Sequence, residues 1–187
     1  MKFKNPLFSS LFGLIMTFFN FSFAQTNVFD DVIATSPNHT YLEAALLQEG
    51  LDTALRQNPN CTIFAPDDSA FNNLATTLGV TISDLLALPN LSDILIYHVL
   101  DSTVLSSGIS NGAIVNSLST TNTLKLTKTS AGDVYVNHSQ VSSPDITVDN
   151  GVVHVVSELL LPDETVADIA IDNGFTTLVT AVVHEEF

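Results

Sequence analysis

The stretch Asn150–Pro162, NGVVHVVSELLLP, decides the fold. Asn150-Gly151 is a turn dipeptide, and the residues that follow it set His154 among Val152, Val153, Val155 and Val156. A turn pair ahead of β-branched residues is a local turn-and-strand signal. Side chains alternate across a strand, so Val152, His154 and Val156 share one face, and Val153 and Val155 the other. Both faces are apolar, which predicts a central strand buried on both sides. Pro162 closes the unit.

Upstream of this strand lie further short β-like runs: Ala113–Asn116, Thr123–Thr129, Val134–Asn137 and Ile146–Val148, separated by turns rich in Gly, Asn, Asp and Ser. Leu124 and Leu126 alternate with Lys125 and Thr127, the pattern of a strand with one wet face. Earlier still the character is helical. Val28–Ile33 forms a short amphipathic turn of helix. Thr40 with Glu43 reads as a capping box for a helix running to Glu49, where Gly50 ends it. Thr62–Ala65 is a short strand stopped by Pro66, after which Asp67 or Asp68 caps a helix holding Ala70, Phe71 and Leu74. Thr81–Ala87 and Leu91–Val99 are further helices. Helices come first and strands later, so the fold class is α+β rather than alternating β/α.

Downstream of Pro162 the pattern of residues 29–47 begins again. Val166–Ile171 echoes Phe29–Ala34, and Thr176–Val183 echoes Thr40–Leu47, in the same order. The expected organisation is a complete unit over residues 26–162 and the opening helices of a second repeat over 163–187, with the chain a fragment of a longer tandem protein.

Three stretches in order resemble the fasciclin domain family. TIFAPDDSAF, Thr62–Phe71, is similar to its first signature box. Tyr97-His98, flanked by Leu95, Ile96, Val99 and Leu100, is similar to its Tyr-His motif. GVVHVVSELLLP, Gly151–Pro162, is similar to its second box. The resemblance covers residues 26–162. It implies a wedge-like β-sandwich carrying a cluster of helices, often in tandem, on secreted or surface-anchored proteins of cell adhesion. It also implies that residues 95–100 form the binding region, since the Tyr-His region of some animal members is implicated in integrin binding. Asp67, Ser69 and Ser157-Glu158 depart from the family's usual residues, which bears on charge-based partner contacts.

Charge narrows the partners. The chain carries 20 acidic residues against 5 Lys and Arg, a net −15. Such a surface repels phosphate backbones and anionic lipid, which excludes nucleic-acid binding. Residues 1–24 read as a signal peptide: Lys2 and Lys4, then an apolar run from Leu7 to Phe19, then Ser22-Phe23-Ala24 as a cleavage site. Its removal leaves Arg56, Lys125 and Lys128 as the cations and predicts a secreted or cell-surface protein with no stable membrane insertion. The expected partners are an extracellular or cell-surface protein or glycan, and the adjacent repeat. Cys61 is the single cysteine and reads as a small core residue.

His98 is the sharpest candidate for chemistry. An imidazole among Ile96, Tyr97, Val99 and Leu100 needs a hydrogen-bond partner, and Asp68 could supply it. Two readings follow: a recognition surface built on Tyr97 and His98, or a buried polar lock between Asp68 and His98. A third class, a secreted hydrolase or small-ligand binder, would need His98 accessible in a cleft beside an acidic group. His154 reads as a core histidine, and His39, His138 and His184 as surface. The spacings of zinc sites, EF-hands, P-loops and serine-hydrolase elbows are missing, so neither a metal nor a cofactor is expected and the function is read as non-enzymatic.

Overall fold

The computed structural model describes residues 25–119 and 122–162. The expected signal peptide and second repeat lie outside the described residues. Strand β7, Gly151–Val156, is an interior strand with a neighbour on each side. On one side it pairs in parallel with β1, Cys61–Pro66, over the full register from Cys61–Gly151 to Pro66–Val156. On the other it pairs antiparallel with β6, Ser139–Val148. Every residue of β1 is buried, and β7 is buried apart from a half-exposed Val155. Gly151 is required at the start of β7: a Cβ there would stand 2.2 Å from the Cys61 carbonyl oxygen, closer than any side chain permits.

The seven strands form one sheet in the order β2-β1-β7-β6-β5-β4-β3. β2 is Val99–Leu100, β3 Ala113–Asn116, β4 Thr123–Lys128 and β5 Val134–Val136. β6 carries two register shifts between Val141 and Ile146, and bulges of this kind bend a strand. The two ends of the sheet are brought together where the Leu118 amide donates to the Val99 carbonyl at 2.7 Å. The expected sandwich is therefore one bent, nearly barrel-like sheet whose two halves face each other.

Alternation along β1 and β7 divides the core. Ile63 and Val153 face a helical core with Phe29, Leu42, Leu46, Phe71, Ile94 and Leu95. Phe64 and Val156 face the sheet interior with Tyr97, Leu100, Leu124, Leu126 and Val136. The helical layer comprises a π-helix, Val28–Ile33, and helices α1 (Thr40–Gln48), α2 (Asp52–Gln57), α3 (Asp68–Leu78), α4 (Ile82–Leu86) and α5 (Leu91–Tyr97). Asp67 caps α3 by accepting from the Ala70 amide, and Thr81 with Asp84 forms a capping box on α4. The box expected at Thr40 and Glu43 does not form. The Thr40 hydroxyl donates to Asp68 at 2.8 Å, and the Tyr41 amide donates to the same carboxylate at 3.0 Å. A carboxylate at the start of a helix meets its orphan N–H groups and the positive end of its dipole; here it arrives from another helix. No helix of the described residues is long and apolar enough to cross a membrane.

Candidate functional site

Helix α5 sets Leu91, Ile94 and Leu95 toward the helical core at one-turn spacing. It ends at His98, whose amide turns in to the Leu95 carbonyl at 3.1 Å, and the chain leaves directly into β2 against β1. The Tyr97-His98 pair thus sits where a helix becomes a strand, between the two cores.

Tyr97 is fully buried in the sheet interior. Its hydroxyl donates to the Thr123 carbonyl at 2.9 Å and accepts from Asn137 Nδ2 at 3.0 Å. Asn137 takes a left-handed conformation, φ 53°, in the turn between β5 and β6, and its Oδ1 accepts from the Lys125 amide. One phenol therefore ties α5 to the strands on the far side of the core.

His98 is 2% exposed, and both ring nitrogens are engaged by backbone. Nδ1 lies 2.7 Å from the Ile94 carbonyl, and Nε2 accepts the Leu160 amide at 2.9 Å. Only the neutral ring with its proton on Nδ1 satisfies both bonds. Burial pushes its pKa down to about 4. His98 is a lock, but its partner is not Asp68. That carboxylate is committed to Thr40 and Tyr41, and the imidazole instead fastens α5 to the chain leaving β7. The backbone carbonyl of His98 also accepts from the Phe64 amide at 2.9 Å. The accessible, unengaged imidazole that hydrolysis would require is not found at His98.

Of the six residues expected to form a recognition surface, Leu95, Tyr97, His98, Val99 and Leu100 are buried, and Ile96 alone is half-buried. Leu95 and Tyr97 are enclosed as part of α5, and Val99 and Leu100 as part of β2.

His154 is a satisfied core histidine. Nε2 lies 2.8 Å from the Val104 carbonyl, Nδ1 accepts the Asp145 amide at 3.1 Å, and the ring stacks on Phe64 with centroids 5.6 Å apart. Asp145 sits in the β6 bulge at φ 61°. Its carboxylate receives both the amide and the hydroxyl of Ser106, and those bonds hold its pKa below the usual range against the opposing effect of burial.

The sequence model of the Fasciclin domain matches residues 37–162. The chain belongs to the fasciclin domain family. It is 31% identical over 159 residues to the transforming growth factor-beta-induced protein ig-h3 of the pig, covering 82% of this chain and 22% of that protein. It is 34% identical over 126 residues to human periostin, covering 66% of this chain and 14% of periostin. A bacterial relative, protein sll1483 of Synechocystis, is 31% identical over 135 residues, covering 71% of this chain and 72% of that protein. Among solved structures, a FAS1 domain pair from the insect cell adhesion molecule fasciclin I superposes with a TM-score of 0.62 at 18% identity, covering 74% of this chain and 51% of that one. The chain thus spans about a fifth of the length of the pig relative.

Two further polar residues organise this fasciclin fold through buried contacts that the sequence pattern does not reveal. Asn150 is buried at the turn into β7. Its Oδ1 accepts the Val28 amide at 2.9 Å, and its Nδ2 donates to the Leu55 carbonyl at 2.8 Å and the Asn58 carbonyl at 3.2 Å. It joins the π-helix, α2 and the central strand. His39, expected at the surface, is 5% exposed. Nδ1 lies 2.7 Å from Ser36 Oγ, and burial lowers its pKa despite the nearby carboxylates of Asp67 and Asp68. The turn-forming character of Asn150-Gly151 and of Ser36-Pro37-Asn38 is the available signal, and it marks a turn without saying what the side chain will meet.

Proposed function

We propose that this fasciclin-domain chain is a secreted or surface-displayed, non-enzymatic adhesion and protein-interaction module. It would act in tandem with a neighbouring repeat, where weak contacts are multiplied by effective concentration. The observation that carries the reading is the internal use of the imidazoles. His98, on which the hydrolase alternative rests, and the core residue His154 spend their nitrogens on backbone groups that join helix to sheet and strand to loop. Family membership supports adhesion through a relative, since the solved structural neighbour comes from an insect cell adhesion molecule. The acidic surface, net −15, favours extracellular protein or glycan partners over anionic ones at long range.

The purified chain immobilised on a surface tests this directly. Saturable retention of extracellular matrix proteins or intact cells, with no turnover of ester or glycoside substrates, is the expected result. Hydrolysis that is abolished by His98→Gln, with no retention of matrix or cells, would overturn it.

A further inference from the structure

We infer that Asn150-Gly151 is a deamidation site that the fold closes and unfolding opens, so that a chain left unfolded passes into a form that does not refold. The sequence holds three Asn-Gly pairs: Asn111-Gly112, Asn150-Gly151 and Asn173-Gly174. The last lies outside the described residues. The chemistry of such a pair needs no enzyme. The amide nitrogen of the glycine attacks Cγ of the asparagine and forms a C–N bond. The side-chain nitrogen takes up the amide proton and leaves as ammonia. Water then opens the resulting succinimide at one of its two carbonyls, giving aspartate or isoaspartate. Glycine favours the attack because it has no Cβ to obstruct the approach and its backbone turns freely.

The fold immobilises both reacting groups at Asn150. The residue lies in the tight turn between β6 and β7 and is 5% exposed. Its Oδ1 accepts the Val28 amide at 2.9 Å, and its Nδ2 faces the carbonyls of Leu55, Arg56 and Asn58 at 2.8, 3.4 and 3.2 Å. Gly151 is held against the Cys61 backbone, and the Asn150 carbonyl accepts the Cys61 amide at 3.1 Å. Swinging Cγ onto the Gly151 nitrogen requires the π-helix and α2 to part from β7, which is an opening of the core rather than a local fluctuation. Asn111 provides the contrast. It carries the same dipeptide in an exposed turn ahead of β3, where the Gly112 amide donates to the Leu126 carbonyl at 2.9 Å.

The contacts that protect Asn150 also reject its products. Aspartate sets a carboxylate against the Leu55 and Asn58 carbonyls, acceptor against acceptor in a buried place. Isoaspartate adds a methylene to the main chain just ahead of Gly151, where the parallel register of β7 on β1 begins. The turn that pairs Val148 with Gly151 no longer closes at its native length.

The test holds the full chain folded in buffer and unfolded in guanidinium chloride at the same mildly alkaline pH. Peptide mapping follows the conversion of amide to acid, and the isoaspartate formed, at each pair. Asn150 should convert in denaturant at a rate like that of Asn111, and in buffer slower by roughly tenfold or more, because modification proceeds from open states. Chains aged in denaturant are then returned to buffer and separated by size into folded and unrefolded fractions. Asn150 should be intact in the folded fraction, with the acid forms at position 150 confined to the other. The double variant Asn111→Gln with Asn173→Gln removes the other two pairs and should lose refolding yield on the same time course. Asn150→Asp, the aspartate product made directly, should unfold at lower denaturant than the parent. Equal conversion of Asn150 in folded and unfolded chains, acid forms shared evenly between the fractions, an undiminished refolding yield in the aged double variant, or parental stability of Asn150→Asp would each overturn the inference.

Discussion

Two regions of the single sheet are built on opposite principles. Around β1 and β7 both strand faces are buried, and the polar groups found there are enclosed and fully engaged: Asn150 with the π-helix and α2, Thr62 with the Ser102 carbonyl, His98 with Ile94 and Leu160. Around β3 and β4 the burial alternates, Leu124 and Leu126 inward, Ile114 and Lys125 outward. In the first region nearly every side chain is a contact between elements. In the second, half of each strand answers only to solvent or a partner. Stability therefore concentrates at β1–β7, and surface chemistry can vary on the meander at little cost to folding.

That contrast predicts a graded series. The largest effect is expected for Gly151→Ala, whose methyl would meet the Cys61 carbonyl at 2.2 Å and force β1 from β7. A loss of roughly 4 kcal/mol or more is expected from urea unfolding, and a variant as stable as the parent would break the comparison. His98→Ala leaves the Ile94 carbonyl and Leu160 amide unpaired beside a cavity, a cost of roughly 3 kcal/mol in the same assay.

Acid should reproduce part of that loss. The unfolded chain binds a proton at His98 near pH 6.5, while the folded chain refuses it until about pH 4. Stability is therefore full above pH 6.5 and falls as pH drops through this window, by about 3 kcal/mol for the 2.5-unit difference. His39, whose pKa is also lowered, adds to the slope with the same sign. The lowered carboxylates of Asp30, Asp84 and Asp145 stabilise the fold above their unfolded values and lose that contribution only at more acid pH. Urea unfolding at a series of pH values should show a shallower slope in His98→Ala; an identical slope would assign the effect elsewhere. Tyr97→Phe keeps the ring and loses the bonds to Thr123 and Asn137, about 1 kcal/mol by thermal unfolding. Ile114→Asn, on the meander's outer face, should lie within about 0.5 kcal/mol of the parent.

The architecture was legible where it depends on local pattern. Four valines around His154 announce a two-sided strand, and β7 is an interior strand enclosed on both faces. Leu124 and Leu126 announced a one-sided strand, and β4 alternates. Asp67 is readable as one of two candidate caps because its partner, the Ala70 amide, lies three residues away. What could not be read is who meets whom across the chain. Asp68 stands 28 residues from Thr40, and no periodicity says that it will cap α1 and so be lost to His98. The recognition reading of residues 95–100 comes from a motif that identifies the family, and no local pattern says that α5 and β2 enclose Leu95, Tyr97, His98, Val99 and Leu100. The bulge at Asp145 lies in a strand ten residues long of which only Ile146–Val148 was expected, because Ser142, Ser143 and Pro144 carry turn rather than strand character.

The role of the Tyr97-His98 pair as internal scaffold is tested most directly by a nitrogen-15 NMR titration of His98 in the intact chain. A neutral ring protonated on Nδ1, holding that state down to about pH 4, is the predicted result. A ring that titrates near pH 6.5, or that carries its proton on Nε2, would contradict it.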